Sequence, residues 1–478
     1  MEEYDYIAIG TGSVMAIMDA VIQMDPKVKI AVIDKDEPGG ICLTRGCIPT
    51  KILLYPAEVV RIIESARNFG INIDLKNIDF TRVMDRMRSL IYRDINGIRH
   101  GLLNSPNIDY YRYVGVFVKP YTLKVGTDTI TAKKIMICSG SKPSVPPIRG
   151  LADVGYLTSD TVLKLQKPPT TLAILGGGYI GAEYGHFFSA MGSKVTIIGR
   201  NPQFLPQEEP EISGLANREL GKYMNIITNH EVVEVKKSFR GKKKIIARNR
   251  HTRKKNTFSA DEILVATGRS SNSDILKPEK AGIKTDEKGW IITNEYLETS
   301  QPNIWALGDA NGKYLFKHVA NHEAAVVLYN AILRRKVTVD YHAVPHAVFT
   351  HPEIASVGMK EKEAIQEYGE SKVLIGFQRY EDTAKGEAMG VKDFFVKIIV
   401  EKESNKILGA HIIGPHASIL IQEVINLMYT KDQTFMPIRD GMHIHPALSE
   451  VVERAFGSLI PAKHYHHMIE DHYKLPIK

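Results

Sequence analysis

Two of the chain's three cysteines stand five positions apart, Cys42 and Cys47 in GGICLTRGCIPTK, residues 39–51. CxxxxC is not zinc-ligand spacing, and no second cysteine pair exists to complete a four-thiolate site. No metal site is expected. The continuation PTKILLYPAEVVRIIESARN reads as helix, with one proline near its first turn and a second, Pro56, expected to kink or break it. Cys47 then sits at a helix N-terminus, where the macrodipole favours a thiolate. Two such cysteines can close a disulfide if the first turn is distorted. Thiol–disulfide exchange also needs a proton donor and acceptor, because the attacking group is a thiolate and the departing thiolate must be protonated. His445, followed five residues later by Glu450 in HIHPALSE, has the pattern of an imidazole oriented by a carboxylate.

These groups need a scaffold, and the chain supplies dinucleotide motifs on both sides of the cysteines. YDYIAIGTG runs from an apolar strand into Gly10 and Gly12, and KIAVID ends at Asp34, 24 residues after the first glycine. Glycines let a backbone approach a pyrophosphate, a helix N-terminus stabilises its charge, and the acid binds a ribose hydroxyl. Met15 stands at the third glycine position, so helix–strand packing there should be looser. The pattern recurs in full in TLAILGGGYIGAEYG, with Gly176, Gly178 and Gly181, and the next strand ends in Gly199-Arg200. An acid at that point suits the free 2′-hydroxyl of NAD, whereas an arginine suits the 2′-phosphate of NADP. Three further strands end in small-residue turns: IMICSGS with Ser139 and Gly140, ILVATGR with Gly268, and IWALGDA with Asp309, an acid placed to hold a ribityl hydroxyl. From about Tyr341 the pattern changes to strands and amphipathic helices without phosphate loops, a third α+β region.

Composition agrees with a globular protein of several domains: 478 residues, 44% hydrophobic and 24% charged. No apolar run approaches the ~20 residues of a membrane span. A strand signal starts almost at the first residue and cysteines are few and odd in number, so a cytoplasmic location is expected. The net charge of +8 is concentrated in residues 236–255, which carry 11 Lys or Arg. This segment reads as a solvated hairpin with a lysine-rich tip. No nucleic-acid motif accompanies it, so nucleic acid is not an expected partner.

The ordered set GTG…D, GGICLTRGCIPTK, CSG, GGGYIGAE, ATGR, ALGDA, THPEIASVG and HIHPALSE resembles the two-cysteine flavoprotein disulfide reductases, which include dihydrolipoamide dehydrogenase and the glutathione, mycothione and mercuric reductases. The resemblance covers residues 4–460. It implies an α/β fold: two Rossmann-like domains, for FAD (1–149 and 270–340) and NAD(P) (150–269), then an α+β dimerisation domain (341–460) and a C-terminal tail (461–478). By the same resemblance Gly10, Gly12, Asp34, Gly40, Lys51, Gly115, Ser139, Gly140 and Asp309 would face FAD. Gly176, Gly178, Tyr179, Gly181, Arg200 and Gly268 would face the nicotinamide nucleotide, with Tyr179 covering its pocket. Cys42 would meet substrate, Cys47 would contact the flavin, and Lys51 would pair with Glu183. His445 and Glu450 would serve the other subunit of a homodimer.

The substrate is left between a lipoyl group, as in dihydrolipoamide dehydrogenase, and a low-molecular-weight disulfide such as mycothione or glutathione disulfide. CIPTK and GGGYIGAE fit the first, while FKHVANHEA and GAHIIGPHAS look closer to mycothione reductase. Arg200, the only arginine expected at that nucleotide site because Pro206 fills the place of a second, favours NADP(H) over NAD(H). Mercuric reductase is disfavoured, because its C-terminal cysteine pair is missing from the histidine-rich tail, which is expected to be a polar terminal tail. A non-catalytic flavin-binding scaffold is disfavoured because both cysteines and the histidine are present.

Overall fold

The computed structural model describes residues 1–238 and 241–469. A first, seven-stranded sheet has a parallel part ordered Ile108–Tyr111, Ile30–Ile33, Glu2–Ile9, Asp128–Ile137, Ile304–Ala306, with Thr122–Val125 and Gly115–Lys119 added antiparallel through Asp128–Ile137. All four residues of Ile30–Ile33 are buried. This suits a strand covered on both faces, and its unbroken apolar run records that position. The sheet draws its outer strand, Ile304–Ala306, from beyond the second dinucleotide unit. That second unit is another parallel sheet, ordered Asn225–Ile227, Lys194–Ile198, Thr171–Leu175, Glu262–Val265, Leu157–Thr158.

The basic segment lies in a three-stranded antiparallel sheet, His230–Lys237, Lys243–Asn249 and Lys255–Ala260, so it makes two hairpins rather than one. Residues 239 and 240 lie outside the described residues. The third region is a six-stranded sheet whose central strands, Phe395–Glu401 and Ile407–Ile413, are buried at every residue. The helices Ala417–Met428 and Ser449–Gly457 share a core with one face of this sheet.

Two expectations about helices need correction. The helix Cys47–Ser65 runs unbroken through Pro56. Buried Leu53, Leu54, Ala57 and Val60 lie on both sides of the proline and join one core with residues of the helices Phe80–Asn104 and Tyr179–Ala190. Tertiary packing thus offsets the roughly 3 kcal/mol an interior proline costs. Residues 461–469, the first part of the expected polar tail, pack against the third sheet. Ile460–Pro461 pairs with the edge of the third sheet, and the helix Ala462–Met468 buries Tyr465. Residues 470–478 of the expected tail lie outside the described residues. Among the described residues no helix is long and apolar enough to cross a membrane.

Candidate functional site

The two glycine loops reuse one solution. A Cβ on Gly10 would stand 2.2 Å from the carbonyl oxygen of Cys138, and a Cβ on Gly176 would stand 2.2 Å from that of Ala266. Each loop therefore folds against the turn after a neighbouring strand, and only glycine fits there. The first loop is tied to the cysteine segment. Asp34 accepts from the Thr11 backbone N–H (3.0 Å) and hydroxyl (2.5 Å), and that hydroxyl accepts from the Gly39 N–H at 3.0 Å. A Cβ on Gly40 would meet Gly12 Cα at 2.9 Å, so the cysteine loop lies directly on the dinucleotide loop.

Cys42 lies in the short helix Gly40–Thr44, and Cys47 is the first residue of the helix Cys47–Ser65. Both are free thiols within hydrogen-bonding reach of one another. The Cys42 thiol donates to Cys47. Against the opposing effect of burial, this hydrogen bond and the Lys51 charge bring Cys47 down to about 6. Cys42 is pushed far up, first by sharing its proton with Cys47 and then by burial. The pair thus holds one proton, on Cys42. Lys51 Nζ donates to both carboxylate oxygens of Glu183, each at 2.8 Å. Glu183 is buried and also accepts from the Phe349 N–H at 3.1 Å.

A single cavity of about 1350 Å³ is lined by Gly10, Gly12, Asp34, Gly40, Cys42, Cys47, Lys51, Gly115, Ser139, Gly140 and Asp309 on one side, and by Gly176, Gly178, Tyr179, Glu183, Arg200 and Gly268 on the other. Gly181 does not line it. Its Cβ would clash with the Gly176 carbonyl at 2.2 Å, so its part is helix–loop packing. The walls fit two dinucleotides. Among the described residues the buried Ser139 hydroxyl has no partner and a Cβ on Gly178 would meet nothing within 4 Å, leaving a glycine cradle open to a pyrophosphate. Burial pushes the Asp34 and Asp309 carboxyls up, which suits groups that share protons with ligand hydroxyls.

His445 and Glu450 are together but apart from this cavity. His445 Nδ1 is 2.9 Å from Glu450 Oε1, Glu450 also accepts from the Ala447 N–H at 3.1 Å, and the imidazole is 67% exposed.

Several functional neighbours escaped the sequence reading. Arg269 donates to Ser141, which hydrogen-bonds Asp309. Its place in the ATGR motif was a signal, since it directly follows Gly268. Arg248 lines the cavity with Arg200, so Arg200 is not the only arginine there. It comes from the antiparallel sheet and pairs with Glu231 at 3.2 Å. His346 stacks on Tyr179, with centroids 5.2 Å apart. Neither carries a local motif. Three buried carboxylates, Glu209, Glu211 and Glu361, are close enough together to hold a metal ion, but the Lys397 ammonium contacts all three.

Comparison with known proteins agrees with this architecture. The pyridine nucleotide-disulphide oxidoreductase family matches residues 4–326, and the dimerisation domain of the same family matches residues 344–456. The chain is 37% identical over 470 residues to a mycothione reductase of Mycobacterium tuberculosis, covering 96% of this chain and all of that one. It is 34% identical over 468 residues to a dihydrolipoyl dehydrogenase of Chlamydia pneumoniae, covering 97% and 98%. Among solved structures it superposes on the Cu(II) complex of the HOCl-induced flavoprotein disulfide reductase RclA from Escherichia coli, with a TM-score of 0.84, 28% identity and coverage of 96% and 99%.

Proposed function

The chain belongs to the pyridine nucleotide-disulphide oxidoreductases, FAD-dependent enzymes that act on sulfur groups with a nicotinamide nucleotide, and we propose that it works through a Cys42–Cys47 relay on a dithiol/disulfide substrate. The observation that carries this reading is the pair of free thiols beside the Lys51–Glu183 pair, in a cavity lined by both glycine loops. Bound FAD supplies the two-electron step between nicotinamide and sulfur.

The protein's part is proton control. Cys42 keeps its proton, so a base must remove it before Cys42 attacks a disulfide. The partner subunit's His445, oriented by the partner subunit's Glu450, takes that proton and returns it to the departing thiolate. The Cys47 thiolate then attacks Cys42 in the mixed disulfide and expels the second thiolate of the substrate, which takes a proton from solvent. One substrate disulfide becomes two thiols, and Cys42–Cys47 becomes the disulfide. The match to the dimerisation domain supports a homodimer. The exposure of His445 outside its own chain's cavity supports action in trans.

Both substrate classes stay in play: a lipoyl group, or the disulfide of a low-molecular-weight thiol. The identity to a mycothione reductase favours the second. Arg200 and the missing acid at Gly199 favour NADPH over NADH, and the sparing use of cysteine suits the cytoplasm. The test uses holoenzyme and a panel of lipoamide, glutathione disulfide and mycothione. Wild type should oxidise NADPH with one of them, while Cys42→Ser and Cys47→Ser should both retain FAD and lose turnover. Full turnover by Cys42→Ser would overturn the relay.

A further inference from the structure

Tyr179 opens the helix Tyr179–Ala190, directly after Gly178 of the second loop and one helical turn before Glu183. Its hydroxyl is 3.0 Å from His346 Nε2, and the two rings stack at 24°. The same Nε2 lies 2.8 Å from Glu208 Oε1, so its N–H donates to that carboxylate. Glu208 is only 2% exposed, and its other oxygen accepts from the Ser356 hydroxyl at 2.7 Å. Phe316 extends the stack beyond His346, at 6.0 Å and 5°. Tyr179 comes from the second dinucleotide unit, His346 from the third sheet and Phe316 from the segment after Asp309, and all three line the cavity.

A buried carboxylate that accepts from an imidazole fixes that ring, because leaving it unsatisfied carries the full desolvation cost, and the phenol oxygen lies within reach of the same N–H. The next residues of the His346 segment hold the same helix a second time, through the Phe349 N–H to Glu183. The first turn of the Tyr179 helix is thus clasped at two points by one strand end. Tyr179 sits between Gly178 and the Lys51–Glu183 pair, on the path from the second glycine loop to the thiols.

We infer that His346, oriented by Glu208, is a positioning residue that holds the Tyr179 ring across this path, so that nicotinamide reaches the Lys51–Glu183 pair only when the Tyr179–His346–Glu208 contact breaks. The inference rests on the proposed reading of Tyr179 as the cover of the nicotinamide pocket.

The experiment follows bleaching of flavin absorbance in holoenzyme mixed rapidly with sub-saturating NADPH. No disulfide substrate is present, so a failed relay leaves the measurement intact. A second readout is amide hydrogen exchange of the peptide spanning residues 178–184. His346→Phe keeps a ring and removes the N–H. It should raise the apparent second-order rate constant about three- to tenfold, the span of one net hydrogen bond, and speed exchange in that peptide. Tyr179→Phe should do the same, and the double variant should gain no more than either single one. His346→Gln retains a donor to Glu208 and should stay near wild type. Wild-type rate and exchange in His346→Phe, or additive gains in the double variant, would overturn the inference. Should His346→Phe fail to fold, Tyr179→Phe breaks the contact from the other side, and a wild-type rate there is equally fatal.

Discussion

The single proton on the Cys42–Cys47 pair can be moved by changing one atom. Cys47 is brought to about 6 from an ordinary 9.0, and the first cause is the hydrogen bond from Cys42. At pH 7 that makes Cys47 about 90% thiolate, against about 1% for an ordinary thiol. Cys42→Ser keeps a donor in place, whereas Cys42→Ala removes it. A hydrogen bond to a charged group is worth about 1.5–3 kcal/mol, and one pH unit corresponds to about 1.36 kcal/mol. Cys47 is exposed to the cleft, so solvent screening places the effect at the low end, roughly one pH unit. The Cys47 midpoint should therefore stay near or below 6 in Cys42→Ser and rise to roughly 7 in Cys42→Ala. The assay is a pH titration of the long-wavelength absorbance that a thiolate gives beside oxidised FAD. The band is present above the midpoint and lost as pH falls through it. At pH 7 the alanine variant should show about half its full band and the serine variant nearly all of it. Cys47→Ser should show none, which assigns the sulfur. Equal midpoints in the two Cys42 variants, or a serine-variant midpoint near 9, would refute the hydrogen-bond account.

Two further outcomes concern the nucleotide and the assembly. Arg200→Ala should raise the KM for NADPH on the order of tenfold, about 1.4 kcal/mol for one charge-assisted contact, and leave NADH nearly unchanged. Arg248, already paired with Glu231, should matter less, and a strong NADH preference in wild type would refute the assignment. Cys42→Ser and His445→Gln chains, each inactive alone, should recover roughly a quarter of wild-type activity when subunits exchange at equal amounts. Half the dimers are then mixed, and each mixed dimer carries one complete site. No recovery after verified exchange would place His445 within its own chain or outside the reaction.

The parts of the site legible in sequence are those written in local spacing. GTG and GGGYIGAE announce close backbone approaches, and CxxxxC before a helix announces a thiol pair at a helix start. The Lys51–Glu183 contact joins residues 132 apart in sequence and came only from resemblance. His346 and Arg248 reach the cavity from separate places, with Glu208 buried behind His346, and nothing in the residues beside them marks a ligand wall. Pro56 misled because a local rule about proline was overridden by packing on both sides of it. The helix Ala462–Met468 was read as tail because its histidines look polar, whereas Tyr465 between them is fully buried. Periodicity over seven residues is too short to reveal one buried ring.

Lys397 shows how the placement of the Glu208–His346 contact is enforced at a distance from any motif. The VKIIV run encloses this lysine in a strand buried on both faces, and its side chain is 0% exposed. An ammonium there must be fully paired, and it is, to Glu209 at 2.7 Å, Glu211 at 2.9 Å and Glu361 at 2.6 Å. Burial alone would raise the Glu209 carboxyl, yet the Lys397 charge holds it down at about 2. Its contribution is therefore intact above pH 4.5 and is lost as pH falls towards 2. Such a cluster stabilises little relative to an apolar core of the same volume, but removing one partner costs about 3–5 kcal/mol because the others stay buried and unpaired. Its effect is positional. Glu209 and Glu211 lie at the start of the helix Pro210–Leu220 in the second unit, whereas Lys397 and Glu361 belong to the third region. With Glu209 anchored across that boundary, the preceding residue, Glu208, has little freedom left, and its carboxylate is delivered to His346 and Ser356. The ion cluster thus sets the domain register, the register places Glu208, and Glu208 sets the pose of the His346 ring that stacks on Tyr179 in the cavity wall.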